Sequence, residues 1–249
     1  MQGKILFLVI AVAALAVILG YTAQPIISDP GTQQIITGKA TPTPQPTDKV
    51  YLLLPAVDDN GNGRLADLLV ELKPGTGKAF IAFQDDTPLL APETQESLKI
   101  AMELGKLYAT RDTSKYDLLY TMNAPSAIVG GKSAGAAVAV ATVALLQGTM
   151  LRGDTLITGG VDEHGNVTPV GGVLEKARAV KQAGFRKLIV PRGERTASVV
   201  KQDCRTQTVS GGSYQKCTAT TVQVDIATEV GIEITEVDNV QQAVKELRN

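Results

Sequence analysis

A chain of 249 residues with 44% hydrophobic content can bury one sizeable core and still carry appendages. Its 24 lysines and arginines nearly match its 25 aspartates and glutamates, and no basic run forms a stripe, so the electrostatic footprint of a nucleic-acid binder is missing. Four phenylalanines and no tryptophan also argue against stacking on bases.

The chain opens with an uncharged stretch, ILFLVIAVAALAVILGY at 5–21, directly after Lys4. As a helix it would span about 26 Å, enough for a thinner bilayer or with Thr22 and Ala23 added. A secretory signal peptide has the same look. Cleavage after Ala23 would set Tyr21 where a small residue is wanted, so residues 1–23 read better as a retained anchor. Lys4 on one side and Asp29 on the other favour an inside N-terminus, with everything after it outside the cytoplasm, or secreted if the segment is cleaved. Residues 24–48 include TGKATPTPQPTD, whose alternating prolines predict an extended tether. The folded domain is expected over 49–249.

Within it, VYLLLPAV and RLADLLVELK read as strands joined by DDNGNG, and KAFIAF as a third after PGTG. Asp58, Asp59, Asn60 and Asn62 resemble a calcium loop only faintly, without its register or its closing glutamate, and a plain hairpin turn is favoured. PETQESLKIAMELGKLYA at 92–109 is predicted as a helix opened by proline, and YDLLYTM as the strand after it. Residues 134–146 are apolar on nearly every side, which predicts a buried central helix too short to cross a membrane. DTLITGG then reads as a strand, VTPV as its return, GGVLEKARAVKQAG as a helix stopped by Gly184, and KLIVP as a further strand. TTVQVD and IEITEV are strand-like, and a last helix is expected with Asp238 as its N-cap and Gln241 three residues on. The succession indicates an α+β domain.

Chemistry-bearing residues are few. The single histidine, His164, rules out a zinc site built on several histidines and sits in VDEHGNV, a turn sequence that leaves it a solvated role. Cys204 and Cys217 bracket RTQTVSGGSYQK, a polar segment around a Gly-Gly turn, and could either form one disulfide in an oxidising space or remain two thiols. No metal ligand set or cofactor motif stands out.

The stretch SAIVGGKSAG poses the central choice. A phosphate-binding loop needs glycine where Ser126 stands, and no clear strand ends in an aspartate that could hold magnesium. The alternative makes Ser133 a nucleophile at the first turn of a buried helix, where unpaired backbone N–H groups of Gly131, Lys132 and Ser133 could hold an oxyanion. A plain helix-capping serine is the bland reading. A base is available from the second helix: Val173, Ala177, Val180 and Ala183 define its apolar face, Glu175, Arg178 and Gln182 the opposite one, and Lys176 falls between Val180 and Ala183. A lysine pointed into a core loses proton affinity and can accept a proton from serine, unless it snorkels to the surface.

GKSAG, LITGGVDEHGNVTPVGGVLEKARAV and KLIVP resemble the proteolytic domain of Lon proteases, and the likeness extends more loosely across most of 49–249. The resemblance implies an α+β Lon-type fold with mixed sheets and packed helices and a Ser-Lys dyad falling on Ser133 and Lys176, 43 residues apart. It also implies that Thr158 orients the lysine, and that subunits assemble into a ring. Gly130 and Lys132 stand where the family commonly has an acidic residue a few positions before the serine and proline or aspartate directly before it. No ATP-driven unfolding module fits in the first 48 residues, so the expectation is an ATP-independent peptidase acting on peptides or unfolded proteins. The competing expectation is a noncatalytic Lon-fold binding or scaffolding domain.

Overall fold

The computed structural model describes residues 48–82, 89–109, 112–124 and 128–248. The apolar segment 5–21, nearly all of the tether and Ser126 lie outside the described residues. Among the described residues no helix is long and apolar enough to cross a membrane.

Alternating apolar residues build the first sheet. Strand β1 (Lys49–Val57) pairs antiparallel with β2 (Gly63–Pro74). Val50, Leu52 and Leu54 of one, with Ala66, Leu68, Val70 and Leu72 of the other, are buried. Every second side chain therefore meets the core, as a half-buried strand requires. The turn between them is a hairpin organised by Asp58, whose Oδ1 accepts the amides of Asn60 and Asn62 at 3.0 and 2.8 Å while Oδ2 pairs with Arg64 Nε at 2.9 Å. That carboxylate is occupied by the turn itself. Strand β3 (Ala79–Ala82) follows, and the small pair β4 (Leu89–Leu90) and β6 (Ile128–Val129) frames helix α1 (Pro92–Leu107) and strand β5 (Tyr116–Asn123). The first sheet has the order β1-β2-β5-β3, antiparallel except for the β5–β3 pair.

Helix α2 (Gly135–Gln147) is the centre of the molecule. Every residue from Gly135 to Leu146 is buried, and the helix packs on β1, β2 and α1. Alanine and valine dominate it, so neighbours approach from all sides, and Gly148 ends it in the left-handed conformation that glycine adopts without cost.

The stretch read as one strand at 154–160 divides into β7 (Thr155–Ile157) and β8 (Gly160–Val161). The cause is local: Gly159 N–H donates to the Ser133 carbonyl at 3.1 Å, and its own carbonyl accepts from Ala136 N at 2.9 Å. This backbone is spent on the loop before α2 and cannot continue a ladder. Strand β9 (Val167–Thr168) pairs with β8, helix α3 (Val173–Gln182) follows, and β10 (Lys187–Pro191) lies between β7 and β13 (Glu233–Val237) in a three-stranded parallel sheet.

Two long strands exceed expectation. Strands β11 (Thr196–Val209) and β12 (Gly212–Asp225) form a 14-pair antiparallel hairpin, of which only the last few residues of β12 had read as strand. Exposed on both faces through most of its length, it lacks the apolar alternation that marks a packed strand. Cys204 lies directly opposite Cys217, and the two are joined in a disulfide. Helix α4 (Ile226–Val230) is capped by Asp225, and α5 (Val240–Leu247) closes the described chain. The expected cap at Asp238 shifts by one residue. Asn239 Oδ1 accepts from Gln242 N at 2.9 Å, while the Asp238 carboxylate is held by the Arg192 guanidinium.

Candidate active site

Three elements converge on Ser133. From α1, Thr94 Oγ1 donates to the Gly131 carbonyl at 3.0 Å and Ser97 Oγ to the Lys132 carbonyl at 3.1 Å. Both side chains are buried, at 1% and 3% exposure, so these bonds are made away from competing water. Glu93 Oε1 accepts the Gly131 N–H at 3.3 Å. From the other side, the Ser133 carbonyl receives the Gly159 N–H, and Thr158 N–H is fixed to the Ile189 carbonyl at 3.0 Å. The serine loop is thereby clamped between a helix start and the parallel sheet. Among the described residues, no hydrogen bond engages the N–H of Lys132 or Ser133.

Helix α3 supplies Lys176. Its N-terminus lies close against the β1–β2 hairpin because two glycines allow it: a Cβ on Gly63 would meet the Glu175 carbonyl at 2.0 Å, and one on Gly172 would meet Val57 Cγ2 at 2.6 Å. Val173, Leu174, Ala177 and Val180 are buried, and Lys176 lies with them at 3% exposure. Ala183, expected on the same face, is instead the exposed residue ending the helix. Desolvation of the ammonium lowers the Lys176 pKa to about 8, opposed by the negative charge of Glu194.

Ser133 and Lys176 line one cavity of about 550 Å³, together with Gly130 to Lys132, Ala56, Val57 and the turn from Pro169 to Gly172. Thr158 is fully buried, and among the described residues its Oγ1 has no hydrogen-bond partner. A buried hydroxyl left unpaired costs about 1–3 kcal/mol. His164 sits apart in the β8–β9 turn, where Asp162 Oδ1 accepts its backbone N–H at 3.0 Å. The bonded cysteines belong to the β11–β12 hairpin. Among the described residues, no group of three His, Cys, Asp or Glu side chains could hold a metal ion.

Glu93, Thr94 and Ser97 escaped the sequence reading. Thr94 and Ser97 stand three apart on the helical stripe that continues into Leu98 and Ala101, so two polar residues at core positions were the available signal.

Residues 96–207 match the family profile described as the Lon protease (S16) C-terminal proteolytic domain. The matched segment includes Ser97, Ser133, Thr158 and Lys176. The chain belongs to the Lon family through this domain. Lon protease 1 of Herpetosiphon aurantiacus is 32% identical over 189 residues, 72% of this chain and 22% of the relative. The Lon protease of Methylocella silvestris is 33% identical over 139 residues, 53% of this chain and 16% of the relative. The archaeal Lon protease of Thermococcus kodakarensis is 31% identical over 106 residues, 43% of this chain and 17% of the relative. The chain thus spans about a fifth of the length of the curated relatives it matches. The Lon-type domain here has the α+β architecture expected, with one mixed four-stranded sheet and one parallel three-stranded sheet around a buried helix.

Proposed function

We propose that this Lon-type domain is a serine endopeptidase in which Ser133 and Lys176 act as a dyad on peptides and unfolded proteins. The observation that carries the reading is the shared cavity: a serine on a clamped loop and a lysine whose burial keeps part of it neutral near pH 8. Ser133 Oγ attacks the scissile carbonyl while neutral Lys176 takes its proton, and the resulting ammonium returns a proton to the leaving amine. The acyl-enzyme is then hydrolysed by water activated by the same lysine. The Gly131 N–H is directed at Glu93, so oxyanion donation falls first to the N–H groups of Lys132 and Ser133. In this reading Thr158 is the positioning residue for Lys176, its buried hydroxyl, unpartnered among the described residues, being the group that would orient the amine.

ATP independence belongs to this proposal; the missing leading glycine of SAIVGGKS argues only against a phosphate-binding loop at that segment. A tether through residues 5–21, with the domain outside the cytoplasm, rests on that uncharged stretch and accords with the disulfide between Cys204 and Cys217. The test is hydrolysis of an unfolded protein by the full chain without nucleotide, with Ser133→Ala and Lys176→Ala alongside. Loss of turnover in both variants, with Ser133 labelled by an acylating reagent only in the wild type, supports the dyad. Unlabelled Ser133 in folded, inactive wild type would favour a noncatalytic binding domain.

A further inference from the structure

The cavity around Ser133 has an electrostatic asymmetry that the dyad does not use. Its lining includes two lysines and no acidic residue. Lys176 is buried and serves the chemistry best when neutral. Lys132 differs in both respects. Its backbone is fixed, because the carbonyl accepts from Ser97 Oγ and from Gly135 N at 3.1 Å each, yet the residue is exposed. Among the described residues it has no ion-pair partner.

The nearby carboxylates are turned to other tasks. Glu93 accepts the Gly131 amide. Glu175 faces Arg178 at 3.9 Å, and Glu194 is the negative charge felt by Lys176. Among the described residues, an unpaired lysine therefore stands directly before the nucleophile and lines its cavity. The remaining walls, Ala56, Val57, Pro169 and Val170, are small or apolar and offer a substrate no charged group.

The geometry points to Lys132 as a specificity-determining residue that favours substrates carrying an aspartate or glutamate side chain beside the scissile bond. The inference rests on the peptidase reading above. A carboxylate in the cavity regains in Lys132 a counter-ion for the water it loses, whereas a lysine or arginine at the same place meets like charge. The exposed setting limits the effect, and a preference of roughly two- to five-fold is expected.

The experiment uses the full chain and a set of peptides blocked at both ends, so that side chains supply the only carboxylate. Each peptide carries one Asp, Asn or Lys, stepped through the three positions on either side of the cleaved bond. kcat/KM is measured for the wild type, Lys132→Gln and Lys132→Glu, and ratios are compared within each protein, which removes any change in overall turnover. At one or more positions the wild type should favour Asp over Asn by roughly two- to five-fold. The ratio should approach one in Lys132→Gln, turn toward the Lys peptide in Lys132→Glu, and shrink as salt rises from about 0.05 to about 0.5 M. A wild type indifferent to Asp and Asn, or a preference that persists in Lys132→Gln, overturns the assignment. Cleavage of the Asn peptides by wild type but not by Ser133→Ala keeps these outcomes separate from failure of the peptidase reading itself, which would show as no cleavage of any peptide.

Discussion

Replacing Lys176 with methionine should make the protein inactive and, near neutrality, more stable. A fall from the ordinary lysine value of 10.5 to about 8 corresponds, at about 1.4 kcal/mol for each tenfold change in proton affinity, to about 3 kcal/mol. The sign follows from proton counting. Between pH 8 and 10.5 the unfolded chain holds a proton on Lys176 that the folded chain has released, so stability rises with pH across that window. Below it, folding carries the full cost of burying an ammonium at 3% exposure. Methionine matches the lysine stem in bulk without the charge, and its advantage should be about 3 kcal/mol at pH 7, about 2 at pH 9 and about 1 at pH 10. Urea unfolding of both proteins at those three values reads the difference, since every other titrating group cancels between them. A pH-independent difference, or a methionine variant equally destabilised throughout, would refute the account of a desolvated base. Peptidase activity should climb in parallel as pH passes through about 8, because only the neutral amine accepts the serine proton.

Thr158→Val removes a buried hydroxyl that has no partner, so its stability should hold or improve by about 1 kcal/mol while kcat falls about tenfold, measured by urea melts and peptide turnover. Thr94→Val and Ser97→Ala each release one carbonyl of the serine loop. Each should cost about 1–2 kcal/mol in stability and lower acylation of Ser133 by a labelling reagent about tenfold or more. Reduction of the Cys204–Cys217 bond should speed amide exchange throughout 200–221 and leave the melting of the core unchanged within about 1 kcal/mol, because an unstapled two-stranded hairpin is marginal alone and this one is exposed on both faces.

Much of the site was legible because its signals are local. The unbroken apolar run 134–146 has only one stable home, the centre of a fold, and that fixes Ser133 at the mouth of a buried helix. The helical period of 173–183 was enough to turn Lys176 inward, since side chains three and four apart share a face wherever the helix is packed. Alternation in 50–72 likewise specified a hairpin. What depended on distant partners was not legible. Thr94 and Ser97 look like ordinary polar residues until α1 is brought against a loop more than 30 positions away. The break at Thr158 and Gly159 arises because their backbone bonds reach Ile189, Ser133 and Ala136 instead of extending a strand. The β11–β12 arm has no apolar face to announce it, and its pairing is fixed by register and a cross-strand disulfide. The sequence by itself placed Ser133 just before a buried helix and Lys176 on the inner side of another, since periodicity and helix-start chemistry act within a few residues; their pairing as nucleophile and base came from the resemblance to Lon. Only the tertiary structure decided that they line one cavity and which side chains hold them there, because that depends on packing between elements far apart in the chain.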